Sequence, residues 1–290
     1  MAEIRILRPG DEAALEAFLW PRVESSMFLI GNLRAAGLSD TGRPYEGTYA
    51  AAFEDGKLAG VVALYWNGNL VLQAPAHLDA LWRAAVEASG RPIRGLFGPE
   101  AQVAEARQLA GLDGAQVQLD ETEKLYRLAL ADLVVPEGLR SGRLRGRLVE
   151  PRDLELVTAW QVQFTVETLN EEESPELWER HRAGVQRSIG EKRTWILEDN
   201  DRPVACSGFN AATREAVQVG GVWTPPELRG RGYARAAVAA TLLVAHAAGA
   251  TTAILFTSLE NVPAQRAYAA LGFRPVGTYR AILMRGWDKR

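Results

Sequence analysis

At 290 residues the chain exceeds the ~100–200 residues of one typical domain, so it can bury a sizeable core as one large domain or two. Its 47% hydrophobic and 24% charged residues exclude wholesale disorder, and a formal net charge of −3 leaves no global positive field for a nucleic-acid backbone. The start, Met1-Ala2-Glu3-Ile4-Arg5, lacks a signal-peptide pattern, and a lone Cys206 among three histidines offers neither a disulfide nor a zinc set; the expectation is a cytoplasmic protein with no nucleic-acid, membrane or metal partner.

In chain order, apolar periodicity and turn residues predict a strand Ile4–Leu7, helices Asp11–Trp20 and Ser25–Leu38, and strands Thr48–Phe53, Leu58–Tyr65 and Leu70–Leu72. A helix Ala76–Ala88, a strand Ile93–Phe97, a helix Glu100–Leu109 and a strand Lys124–Leu130 follow. The stretch from Pro136 to Arg143 is rich in Gly, Pro and Arg and buries little, so residues 136–146 are expected to link a domain of residues 1–135 to one of residues 147–290. The second half repeats the order: strand Arg147–Val149, helices Leu154–Leu169 and Pro175–Ile189, and strands Trp195–Leu197, Val204–Phe209 and Ala216–Thr224. A helix Tyr233–Ala247, a strand Ala253–Phe256, a helix Pro263–Leu271 and a strand Thr278–Met284 complete it. Glu54-Asp55-Gly56-Lys57 and Glu198-Asp199-Asn200-Asp201 take equivalent places as hairpin turns. Two similar α/β units in tandem follow from this element order.

The most informative segment runs from Val217 through Gly220-Gly221-Val222-Trp223-Thr224-Pro225-Pro226 to Arg229-Gly230-Arg231-Gly232-Tyr233-Ala234. Two prolines end a strand, and glycines at 230 and 232 remove side chains where the backbone must approach a ligand. The free amides of the next helix, its dipole, and Arg229 and Arg231 together suit a pyrophosphate. A dinucleotide loop is disfavoured because the third spaced glycine is missing, and a nucleotide P-loop lacks its Gly-Lys-Ser or Gly-Lys-Thr. The run Ala234–Ala248 is too short to span a bilayer and reads as a buried helix.

Arg229-Gly230-Arg231-Gly232-Tyr233-Ala234 resembles the R-x-x-G-x-G/A acyl-CoA loop of the GNAT N-acyltransferase superfamily. Asn261 to Phe273 is similar to that family's N-x-x-A-x-x-x-Y-x-x-x-G-F segment, and the resemblance covers Arg147 to Met284. It implies an α/β (α+β) fold of two tandem GNAT-like domains, each a mixed, mostly antiparallel sheet flanked by helices. It also implies an N-acetyltransferase that moves an acetyl group from acetyl-CoA, its cosubstrate, to a primary amine of a small-molecule or peptide acceptor. By the resemblance, Val222, Thr224, Arg229, Gly230, Arg231, Gly232, Tyr233, Ala234 and Asn261 bind the cofactor, and Tyr268 is the general acid that protonates the departing thiolate. The oxyanion donor is a backbone amide near Val222, since paired Gly220 and Gly221 suggest a bulge before it.

The general base is open among Glu167, Glu171, Glu172, Glu173 and Glu215. His181 and His246 read as helix residues and Cys206 as a buried structural thiol. The equivalent loop of the first half, Gln73 to Asp79, has neither glycine nor arginine, so that half reads as a degenerate GNAT-like domain without a cofactor loop. A non-catalytic acyl-CoA sensor is the alternative function. Aminoacyl transfer from tRNA is a third, disfavoured by the acidic pI and the intact coenzyme A loop.

Overall fold

A computed structural model describes residues 2–112 and 117–284. Its elements run β1 (Glu3–Ile6), α1 (Glu12–Leu19), α2 (Val23–Ala36), β2 (Gly47–Glu54), β3 (Lys57–Tyr65), β4 (Asn69–Gln73), α3 (Leu78–Ser89), β5 (Gly95–Pro99), α4 (Glu100–Leu109) and β6 (Val117–Ala129). They continue with α5 (Glu137–Arg140), β7 (Leu144–Leu148), α6 (Leu154–Leu169), α7 (Pro175–Glu191), β8 (Thr194–Asp199), β9 (Arg202–Ala212) and β10 (Ala216–Trp223). Last come α8 (Tyr233–Ala247), β11 (Thr252–Ser258), α9 (Val262–Ala269) and β12 (Arg274–Met284). The chain divides into two compact units, Met1–Leu125 with Gly277–Arg290, and Tyr126–Val276.

In the first unit the strands lie in the order β1-β2-β3-β4-β5-β12, antiparallel except for the parallel pair β4 and β5. Helix α3 turns Leu78, Leu81, Trp82 and Ala85, one helical stripe, onto Ala50, Val62, Leu72, Leu96 and Ile282. The core is thus closed by a residue from the far end of the chain. Ile282 is fully buried and sits opposite Leu96 in the register of β12 with β5.

The second unit repeats the plan with the order β6-β11-β10-β9-β8-β7. One face of its sheet is covered by α8, whose Val238, Ala239, Leu242 and Ala245 pack on Val217, Val219, Ala253 and Leu255. Alanines let α8 sit close: a Cβ on Gly146 would lie 2.6 Å from that of Ala240, so only glycine fits there. On the other face, Val157 and Trp160 of α6 and Val185 of α7 meet Ile196, Cys206 and Trp223. Half-buried Arg147 ties β7, β8 and the entry to α6 together, donating to Asp153 Oδ2 at 2.6 Å and Glu198 Oε1 at 2.7 Å. That guanidinium holds the Asp153 carboxyl below the usual carboxylate range.

Both expected hairpins form as two-residue turns with left-handed central residues. Asp55 and Gly56 have φ of +47° and +75° between the paired Glu54 and Lys57, and Asn200 and Asp201 have φ of +52° and +61° between Asp199 and Arg202. The limits of the units differ from a division at residues 136–146. That stretch contains α5 and the start of β7, and Leu144 is buried against Leu197, Val204 and Tyr233. Its Gly and Pro content marks a tight one-turn helix rather than a free linker. The chain changes unit instead within β6 and within β12.

Because Ile282 belongs to the first unit's core, Ile282→Ala is expected to lower stability by about 2–5 kcal/mol through the cavity it leaves. Amide exchange should rise first in β4 and β5, and a loss of protection confined to residues 126–276 would contradict the assignment of β12.

Candidate functional site

Strands β10 and β11 start as a parallel pair, from Ala216↔Thr252 to Gln218↔Ile254, and the pairing stops there while both strands run on. On its other edge β10 shifts register against β9 between Gly220↔Gly208 and Trp223↔Cys206, which places one extra residue on β10. This is the bulge expected from the paired glycines, and Gly221 takes a φ of +59° that a side chain disfavours. The parted strands turn backbone N–H and C=O groups toward a slot in which an extended ligand can pair with them.

At the end of β10, Pro225 and Pro226 lead through a short turn to the glycine loop and α8. Gly230 and Gly232 have φ of +78° and +80°, and a Cβ on Gly230 would meet nothing within 4 Å. Gly232 is the N-cap of α8 and brings no capping side chain, so the first-turn amides of Tyr233, Ala234 and Arg235 are left to bind from outside the helix. Arg231 reaches back to the Glu227 carbonyl at 3.4 Å, and Arg229 donates to the Thr224 carbonyl at 3.1 Å and to Glu167 Oε2 at 2.9 Å while lying 4.7 Å from the Trp223 ring centroid. The side chain of Tyr233 points into the core, where its hydroxyl donates to Asp199 Oδ2 at 2.6 Å, so Tyr233 can offer a ligand only its backbone.

Arg235 carries no motif signal, yet its guanidinium lies 3.7 Å from where a Cβ on Gly232 would be, and its buried Nε has no hydrogen-bond partner among the described residues. An arginine in the first turn opposes the helix dipole, a local conflict that a bound anion resolves. Buried Thr224 Oγ1 is likewise without a partner among the described residues. Glycines with left-handed backbone, uncapped amides and an arginine whose buried Nε has no partner among the described residues together fit a diphosphate-bearing cofactor.

After β11, Asn261 caps α9 by accepting the Ala264 N–H at 3.1 Å. About two turns later, buried Tyr268 packs edge-on to Tyr126 and Phe273, with ring centroids 6.4 and 6.1 Å away. Most of the candidate bases are engaged elsewhere: Glu167 by Arg229, Glu171 by Arg180, and Glu173 by the Trp178 indole at 2.9 Å. Glu215 precedes the first residue of β10, about 16 Å of strand from Gly220. His181 shares a 2.9 Å hydrogen bond with Thr165, and His246 lies 3.2 Å from the Ala250 carbonyl.

The equivalent place in the first unit is closed. A Cβ on Gly98 of β5 would lie 2.9 Å from the Leu72 Cβ of β4, and the Ala74 N–H donates to Gln102 Oε1 at 2.7 Å. Helix α3 opens with His77 at φ +61° and carries Asp79, paired to Arg83, in its first turn.

Residues 159–273 match the family model described as Acetyltransferase (GNAT) family. Three solved structures share the fold across nearly the whole chain. An acetyltransferase of the GNAT family from Colwellia psychrerythraea is 14% identical over 97% of this chain and 99% of its own, with a TM-score of 0.52. A tandem GNAT protein from the clavulanic acid biosynthesis pathway is 14% identical over 97% and 98%, with a TM-score of 0.56. A GCN5-related N-acetyltransferase from Kribbella flavida is 18% identical over 91% and 95%, with a TM-score of 0.59. No curated protein matches the chain. Residues 159–273 are thus similar to the GNAT acetyltransferase family, and the solved structures share the fold of the chain as a whole. Among the described residues no helix is long and apolar enough to cross a membrane, and no group of three or more His, Cys, Asp or Glu residues could hold a metal ion.

Cys206 is fully buried, and burial pushes its thiol up to about 12. Native protein should therefore resist iodoacetamide at pH 8 and label only after unfolding; rapid labelling of the native state would show that the sheet opens there.

Proposed function

We infer that the second unit transfers an acetyl group from acetyl-CoA to a primary amine of a small-molecule or peptide acceptor, both substrates being bound together. The observation that carries this reading is the slot between the parted β10 and β11, which leads directly to the open glycine loop of α8. The first-turn amides, Arg231 and Arg235 would hold the diphosphate, and the free edge of β10 from Val219 to Trp223 would pair with the pantetheine arm. When bound, the cofactor supplies a thioester carbon open to attack.

The attacking nitrogen must be neutral, and its lone pair forms the new C–N bond as the carbonyl electron pair moves onto oxygen. The Val222 amide beside the bulge is the proposed donor to that oxyanion. Collapse restores the carbonyl, breaks the C–S bond and releases a proton from nitrogen, while Tyr268 gives its phenolic proton to the leaving sulfur and recovers one from solvent. Asn261 would help to orient the pantetheine arm, in addition to capping α9. The first unit, closed at Gly98 and Ala74, would hold no cofactor and serve as a degenerate scaffold.

Calorimetry with acetyl-CoA should give one site per chain; two sites, or none, would overturn the assignment. An amine panel scored by thiol release identifies the acceptor. With that acceptor and chemistry shown to limit turnover, Tyr268→Phe should lower kcat by ~10²–10⁴-fold with little change in the acetyl-CoA Kd, because the proton is given only in the transition state. A Phe variant that turns over at the wild-type rate would leave Tyr268 as a packed aromatic.

A further inference from the structure

The two glycines of the β10 bulge are each overlaid by a carboxamide. A Cβ on Gly220 would lie 2.2 Å from the side chain of Asn210 on β9, and one on Gly221 would lie 3.4 Å from Gln161 Nε2 on α6. Gly220 and Trp223 sit opposite Gly208 and Cys206, two residues apart on β9, so they share one face of the sheet. Trp223 and Cys206 pack there against Val157 and Trp160 of α6, so Asn210 and Gln161 meet the bulge on the α6 side. Asn210 is exposed and Gln161 half-buried, and neither carboxamide has a hydrogen-bond partner among the described residues.

The placement of Gln161 is held by its own helix. Three residues on, Phe164 stacks edge-on against Trp223 at 6.2 Å; six residues on, Glu167 binds Arg229; and Thr165 meets His181. Helix α6 therefore tracks the open end of β10, with Gln161 opposite the bulge. Glycine at 220 gives Asn210 its room, whereas Gly221 serves the left-handed backbone of the bulge and leaves Gln161 in contact over it.

On the reading that the acyl group lies at this bulge, we propose that Gln161 and Asn210 hold the acceptor through its attacking nitrogen, recognising it as a neutral amine. A carboxamide oxygen accepts an N–H without the charge that would stabilise an ammonium, so the pair binds the form that can attack. Glu167, Glu171 and Glu173 are engaged with other partners, which fits an acceptor held by hydrogen bonds at its reacting end rather than by an ion pair.

Hydroxylamine, a small amine that is neutral at pH 7, is the probe, with acetohydroxamate formed from acetyl-CoA as the readout. Gln161→Ala and Asn210→Ala should each lower kcat/KM for hydroxylamine by about tenfold, the loss of one hydrogen bond, with the acetyl-CoA Kd unchanged by calorimetry. Gln161→Glu keeps the shape and adds a charge that raises the pKa of the bound amine. The rising limb of its pH–rate profile should move to higher pH, a shift that a purely structural role for Gln161 would not produce. Wild-type protein that binds acetyl-CoA but leaves hydroxylamine unacetylated, variants that match the wild type, or an unmoved pH profile would each overturn the proposal. Failure of the wild type to bind acetyl-CoA would instead overturn the acetyltransferase reading on which it rests.

Discussion

The separation of β10 from β11 beyond Gln218 and Ile254 is the constraint on which the rest of the second unit depends. Paired parallel strands satisfy each other's backbone groups, and parting them leaves polar edges that must find water or a ligand. The separation is held from outside the slot. The extra residue at Gly220–Gly221 bends β10, Trp223 is anchored on the α6 side by Phe164 and the surrounding core, and α8 fixes Val217 and Val219 at the base. In the first unit the equivalent strands stay in contact at Leu72 and Gly98, which closes that place among the described residues.

Charge is arranged around that slot before any ligand arrives. The loop at Gly230 and Gly232 exposes the positive end of α8, and Arg235 adds a cation where a helix ordinarily prefers an anion. Arg229 behaves differently. It is already committed to the Thr224 carbonyl, to Glu167 and to the face of Trp223, so it ties the loop to α6. On the proposed function, recognition of phosphate would fall on backbone amides and on an arginine outside the motif's signature, with Arg229 as a brace between two elements.

Much of this is legible in the sequence, because local chemistry specifies local shape. Two prolines and two glycines before an apolar helix point to a strand end and a glycine turn at a helix start, and Asn261 followed by Pro263 announces another helix start. Asp, Asn and Gly at the two hairpins demand the left-handed turns observed. What a single sequence does not carry is which sheet a strand joins. Apolar alternation identifies β12 as a strand but is blind to β5 as its partner, and so the division of the chain at residues 136–146 follows composition where the fold follows strand pairing. Gln161 and Asn210 carry no signal for a related reason: a half-buried glutamine on a helix and an exposed asparagine in a strand are ordinary until the fold brings both over the same pair of glycines. Arg235 is the intermediate case, since a basic residue in the first turn of a helix is a visible conflict with the dipole.

The membership of β12 in the first unit has a consequence for synthesis. The ribosome makes the segment up to Leu125 before the second unit, yet the strand that pairs with β5 is made only after it. Until then β5 presents an unpaired edge and the core around Leu70, Leu72 and Leu96 lacks Ile282. The first unit is thus finished only after the second has been translated, and the nascent chain must keep a sticky strand edge out of wrong pairings for that whole time.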